Sequence, residues 1–382
     1  MSEQATSTIE IARALAKDIA SRTADADRLG KLPDEDIQAL HESGYLMLSV
    51  PVEYGGQGLS LRECVAAQLE LARGSASTAL VAAMQLQVFG YARETRLWPE
   101  PIFAKFCRSA VQEGSLFNFL ASEPVLGSPS RGGRYQTYAQ PTPRGDGWSV
   151  NGHKNWATGG KHLTHLLVKL MIGDEPGVMY VPATLRGIDW SDTWTNVLSL
   201  RASESNDVRF KKVIVPSENL IERGVAKEPP NAWFTALVAA TYLGTGLAAR
   251  HHVIRYALDR VPTALGKPIA TLPKIQRQIG EIDLALQAAQ LLLMDAAGAW
   301  VGDGQNSDQQ WVRIAAAKTL ATETAIKVTA TALQVAGGAG ITGELPLERY
   351  FRDAQAGTTH PPSGDTAYEI IGQSAILREQ NS

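Results

Sequence analysis

Ser122 and Ser128 bracket a short stretch that also holds Glu123, Pro124 and Gly127. A tight turn of this composition exposes backbone N–H groups and hydroxyls to the polar edge of a ring or to a phosphate. Serines in turns also simply cap their own backbone. Trp156 and Thr158 stand two residues apart in a run that reads as a strand, so an aromatic plane and a hydroxyl should share one side of it. Such a plane could cover a flat ring whose edge the hydroxyl bonds; alone, a Trp here reads as core. Arg260, late in a helical segment, offers a planar fork suited to a pyrophosphate, or a surface charge that complements the helix dipole. Gln334 to Gly340 closes another helix with Gly337, Gly338 and Gly340. That is a C-cap, and it also admits close approach by another backbone.

Three residues are candidates for acid–base or substrate contacts. His360 precedes Pro361-Pro362 in a loop, where a His either bonds a ligand or caps a turn. Asp365 is the nearest carboxylate beyond it, and Asp-Thr before an apolar run equally reads as a helix N-cap. Tyr91 and Gln87 lie one helical turn apart, facing either a ligand or the next domain.

The elements that must position these groups fall into three blocks. Up to residue 114 the pattern is helical: Ile9, Ala12, Leu15 and Ile19 share one face, Leu32-Pro33-Asp34 opens a further helix, and helices follow at about 60–74, 77–92 and 99–112. Residues 115–228 carry short apolar runs bounded by breakers, at Tyr135–Gln140, Trp148–Asn151, Leu166–Met171, Val178–Val181 and Asp207–Val215, the pattern of a small antiparallel β domain. From 229 to 382, Ala- and Leu-rich segments at about 231–260, 271–302, 308–336 and 365–380 read as a four-helix bundle. The chain is therefore expected to be α+β with three domains.

Composition narrows the function. Over 382 residues the net charge is −3 with no basic block, which argues against a nucleic-acid surface. Cys64 and Cys107 make no disulfide framework and read as core residues. The seven histidines form no metal motif. The most apolar run, Thr235–Ala249, is shorter than the ~20 residues that span a bilayer, and reads as a buried helix. The first residues lack signal organisation, so a cytoplasmic protein without membrane attachment is expected.

Six segments, in order, resemble the motifs of the acyl-CoA dehydrogenase superfamily. They are Pro51–Gly58; Ser122-Glu123-Pro124 with Gly127-Ser128; Asn151–Gly160; Arg201-Ala202-Ser203 with Val213–Pro216; Tyr256 and Arg260 with Gly266–Ile269; and Gln334–Gly340 with Leu347–Asp353. The resemblance implies an N-terminal helical domain, a middle antiparallel β-barrel and a C-terminal four-helix bundle. It also implies FAD or FMN held by Phe119, Ser122, Gly127, Ser128, Trp156 and Thr158. Arg260, Gln334, Gly337 and Gly338 would reach the flavin of a neighbouring subunit in a homotetramer or homodimer. One departure is that two extra residues separate Arg260 from Gly266, and Leu265 replaces the usual Phe.

The resemblance breaks where the chemistry of a dehydrogenase would be. Removing the α-proton of an acyl thioester needs a carboxylate. The family places a Glu shortly after Arg352-Asp353, whereas here Pro361 aligns with it, and Asn231–Thr235, the other usual location, has no acid. His360, seven residues after Asp353 and followed by Pro361, resembles instead the pattern of relatives that oxygenate organosulfur compounds. The reading therefore favours a two-component monooxygenase acting on a small organic substrate, with reduced flavin drawn from a separate reductase. The alternative is an acyl-CoA dehydrogenase with Asp365 as base.

Overall fold

The computed structural model describes residues 3–126, 133–225, 228–302 and 308–381, with side chains from residue 7 onward. The first block contains α1 (Glu3–Ala20), α2 (Thr23–Leu29), α3 (Asp34–Glu42), α4 (Leu61–Leu71), α5 (Ala76–Thr95) and α6 (Glu100–Gln112). Their starts follow from local chemistry. Ser60 and Glu63 form a reciprocal capping box on α4, and the Ser75 hydroxyl accepts from Thr78 N–H at the head of α5. Between α3 and α4 the Pro51–Gly58 loop folds back so tightly that a Cβ on Gly56 would stand 2.2 Å from the Val50 carbonyl oxygen.

The middle block is one sheet: β1 (Phe117–Leu120), β2 (Tyr138–Pro141), β3 (Gly147–Ala157), β4 (His165–Ile172), β5 (Glu175–Pro182), β6 (Ile188–Ser191), β7 (Asn206–Pro216) and β8 (Leu220–Arg223). The order is β6-β7-β3-β2-β4-β5-β8, with β1 also on β4. This corrects the expected antiparallel barrel. The sheet is open, and it is mixed because both β1 and β2 run parallel to β4. Short apolar runs mark strands but carry no record of which strand they pair with or in which direction.

The last block holds α7 (Ala232–Asp259), α8 (Pro273–Ala299), α9 (Asp308–Ala336), α10 (Leu347–Ala354) and α11 (Gly364–Gln380). The four long helices sit where the Ala- and Leu-rich segments put them, and α10 is an additional short one. By length and composition α7 and α8 could each cross a membrane, but α7 is enclosed by α4, α5, α8 and α9 as a core helix. Cys64 and Cys107 are buried thiols. The first and last blocks lock together where α5 meets α7. There a Cβ on Gly90 would lie 2.1 Å from the Trp233 ring, and Glu94 accepts from the indoles of Trp233 at 2.7 Å and Trp300 at 2.9 Å.

Candidate active site at the junction of sheet and bundle

The sheet contributes its irregular edge. β3 and β7 pair from Gly147↔Pro216 to Ala157↔Asn206, with a register shift between Lys154 and Ala157. Within that shift Trp156 adopts φ 58°, and its indole is 57% exposed. A left-handed backbone costs a non-glycine residue about 1–2 kcal/mol, and here no burial of the ring offsets it. Strain of this kind collects at ligand sites. The same turn interrupts strand alternation, so Trp156 and Thr158 do not share a face as a regular strand would require. Thr158 is buried instead, with its hydroxyl 2.9 Å from Ser205 Oγ, which lies 2.8 Å from Ser203 Oγ. Its carbonyl accepts from Asn118 Nδ2 at 3.0 Å. Beside Trp156, the buried Asn155 Oδ1 has no hydrogen-bond partner among the described residues, leaving one acceptor for a bound molecule.

Behind this edge is a pair that sequence reasoning passed over. Lys154 and Glu123 are both buried and bridge at 2.7 Å. Glu123 also accepts from the N–H groups of Gln136 at 2.7 Å and Thr137 at 3.0 Å, and Lys154 lies over the Tyr135 ring. Burial brings the Lys154 ammonium down to about 8, while its bonds to Lys154 and the backbone hold Glu123 below the ordinary carboxylate range against its own desolvation. The pair fastens the Ser122 segment to β3, and Asn155 N–H donates to the Ser122 carbonyl at 3.1 Å. The signal was present in one carboxylate and one ammonium, each set within a motif that otherwise carries no formal charge. Gly127 and Ser128 lie outside the described residues.

A second wall comes from α5 and β1. Tyr91 packs edge-on to Phe119 at 6.2 Å and donates to the Pro229 carbonyl at 3.2 Å. Gln87 Oε1 accepts from Asn231 Nδ2 at 2.7 Å, while Asn231 Oδ1 caps α7 through Phe234 N–H. Both α5 residues thus tie down the start of α7. Burial pushes the Tyr91 phenol far up, so it keeps its proton at neutral pH.

The bundle contributes the corner after α10. His360 packs between Tyr242 at 5.6 Å and Phe234 at 6.1 Å, ring centroid to centroid. Its Nδ1 lies 3.1 Å from the Ala356 carbonyl and 3.2 Å from Tyr242 Oη. Desolvation brings the imidazole down to about 4, helped by the nearby Lys318 charge and opposed by the Ala356 bond, so the ring is uncharged at neutral pH. Asp353 is committed elsewhere: its carboxylate accepts from Leu200 N–H at 2.7 Å, and burial pushes it up to about 7. Arg352 is paired with Asp27 and Glu348. Asp365 is exposed in the first turn of α11, and Ser363 takes the N-cap position that the sequence suggested for Asp365. A continuous path links corner and sheet, from Asp353 to Leu200, whose carbonyl accepts from Ser203 N–H, and on through Ser205 to Thr158. Arg260, Gln334, Gly337 and Gly338 are exposed on the bundle, and a Cβ on either glycine would meet nothing within 4 Å.

Residues 2–93 match the family model described as acyl-CoA dehydrogenase, N-terminal domain, and residues 236–362 match the C-terminal domain model. "Putative acyl-CoA dehydrogenase YdbM" of Bacillus subtilis (strain 168) is 33% identical over 367 residues, covering 95% of this chain and 94% of that protein. The chain belongs to the acyl-CoA dehydrogenase family. As a member it is a flavin-dependent oxidoreductase. The mitochondrial short-chain specific acyl-CoA dehydrogenase of Mus musculus is 28% identical over 360 residues, 89% of this chain and 82% of that one. Among solved structures, butyryl-CoA dehydrogenase from Megasphaera elsdenii superposes with a TM-score of 0.87 at 23% identity, covering 98% and 99% of the two chains. FMN-bound TdsC from Paenibacillus sp. A11-2 gives 0.86 at 23% identity, covering 97% of each chain. At that identity the two structures establish the shared fold. The same protein has also been solved as a dibenzothiophene monooxygenase.

Proposed function

We propose that the protein is a monooxygenase of this family, acting on a small organic molecule, organosulfur compounds among them, with reduced FMN or FAD delivered by a separate reductase. One observation carries the reading. At the corner where α-proton removal needs a carboxylate, the structure presents His360 flanked by Phe234 and Tyr242, with Asp353 bonded to Leu200 and Asp365 out in water.

The residues present fit a flavin. Trp156 offers an exposed aromatic plane and Asn155 Oδ1 an unused acceptor, and the Thr158 and Ser205 hydroxyls lie at the same edge. Arg260, Gln334, Gly337 and Gly338, exposed on the bundle, would contact the cofactor of a second copy in a homodimer or homotetramer. Reduced flavin, when bound, supplies the two electrons with which O2 delivers one oxygen atom to substrate and the other to water. The chain's own share is to exclude water, orient the substrate against Phe234, Tyr242 and Phe119, and hold an uncharged imidazole whose Nε2 can accept a proton or a hydrogen bond.

Turnover under isotopically labelled O2 tests this, and label in the product is the expected result. A second reading, acyl-CoA dehydrogenation with Asp365 as base, is favoured by the names of the curated relatives. Rapid anaerobic bleaching of the oxidised holoenzyme by an acyl-CoA, abolished by Asp365→Asn, would establish that reading and remove ours.

A further inference from the structure

Lys318, on α9, is 1% exposed. Its ammonium donates to the carbonyl oxygens of His360 at 2.8 Å and Pro362 at 3.0 Å, and it forms no ion pair among the described residues. The carboxylate whose field reaches it, Glu323, is bonded through both oxygens to the Tyr368 hydroxyl at 2.8 and 2.9 Å. Sinking an ammonium into a fold against neutral carbonyls alone is costly. Two carbonyls of one turn would be satisfied as well by a neutral donor. The charge itself therefore calls for an explanation.

We propose that Lys318 is a positioning residue, which from beneath the His360–Pro362 turn fixes the imidazole with Nδ1 against Ala356 and leaves Nε2 free to meet substrate. A carbonyl only accepts, so the 3.1 Å contact with Ala356 puts the proton on Nδ1. The Tyr242 hydroxyl oxygen at 3.2 Å is then a second acceptor for the same proton, and Nε2 keeps its lone pair. The charged and titratable groups facing the ring are few: Tyr242 from α7, held protonated by burial, and Lys318 from α9. Asp353 at the end of α10 is turned to Leu200. Only Lys318 brings a positive charge to the ring, and it opposes a second proton there. The catalytic use of that Nε2 rests on the monooxygenase reading, whereas the state of the ring does not.

Histidine-labelled full-length protein decides the matter by ring-nitrogen NMR, with His360 identified by the signal missing from His360→Gln. In the wild type the uncharged Nδ1–H form should persist from neutral pH down towards a midpoint near 4, with a second inflection near pH 8 as Lys318 itself loses its proton. Lys318→Gln, which keeps a donor and deletes the charge, should raise the His360 midpoint by about one pH unit, and Lys318→Arg should leave it in place. A proton found on Nε2 in the uncharged wild-type ring overturns the proposal. So does a wild-type trace flat around pH 8, a result that stands even if Lys318→Gln fails to fold. An unmoved midpoint in a folded Lys318→Gln overturns it as well. Should acyl-CoA bleach the holoenzyme while these titrations come out as described, the oxygenation reading falls and the role of Lys318 stands.

Discussion

Lys154 in the sheet and Lys318 in the bundle are equally shut off from water, and burial brings each ammonium down to about 8. Their partners differ. Lys154 meets the carboxylate of Glu123, itself bonded to two backbone N–H groups, so the charge is cancelled where it sits. Lys318 meets two carbonyls and its charge is felt beyond them, at His360. The first arrangement is a fastening that holds the two halves of the sheet edge together. The second biases a neighbour's protonation. Burial alone does not distinguish structural from functional charge, but what the charge is bonded to does.

The largest effect should come from unfastening the sheet. Glu123→Gln leaves Lys154 buried without a counter-charge and should cost about 3–5 kcal/mol of unfolding free energy. A urea denaturation showing less than about 1 kcal/mol would break the contrast at its strong end.

Asp353 supplies the next test. Its carboxyl is pushed up to about 7, above the ordinary value near 4. The native state therefore keeps this proton through a range in which the unfolded chain has lost it. The resulting stability is complete below about pH 4 and is lost as pH rises through 7. Asp353→Asn retains an acceptor for Leu200 N–H and has no charge to bury. Its melting temperature should match the wild type at pH 4 and exceed it at pH 8, by the equivalent of about 1–3 kcal/mol. Equal melting curves at pH 8 would mean that the buried carboxylate is fully compensated.

Trp156→Ala should weaken flavin binding roughly tenfold, the worth of one aromatic contact. Melting of the flavin-free protein should hardly change, because the indole packs on little. Fluorescence titration with FMN and FAD measures the first quantity, and unaltered affinity would take Trp156 out of the cofactor site. The smallest change is expected for Lys318→Met, where two orphaned carbonyls offset the removal of an unpaired charge to within about 1 kcal/mol. A loss as large as that for Glu123→Gln would erase the distinction between the two lysines.

Much of this was legible beforehand because it is local. The one-faced apolar periodicity of Ile9, Ala12, Leu15 and Ile19 in α1, the Ala- and Leu-rich runs of the long C-terminal helices, and the order of the motifs are all properties of neighbouring residues. What escaped was non-local. The parallel pairing of β1 and β2 with β4 joins segments whose own composition says nothing about partner or direction. Glu123 and Lys154 stand 31 residues apart and look, singly, like surface charges. Lys318 falls in a helical pattern rich in small residues, where a lone Lys reads as solvated. Trp156 and Thr158 part company because a register shift and a tight turn fall at the very end of β3, leaving Thr158 beyond the strand.

The contact between α5 and α7 reaches beyond stability. With the place of a methyl group at residue 90 already filled by the indole of Trp233, neither position is free to drift alone. A descendant that gains bulk at one must first shrink at the other, so the two sites should be inherited as a single unit, and lineages that exchanged the pair should have passed through a smaller ring before any larger residue replaced the glycine.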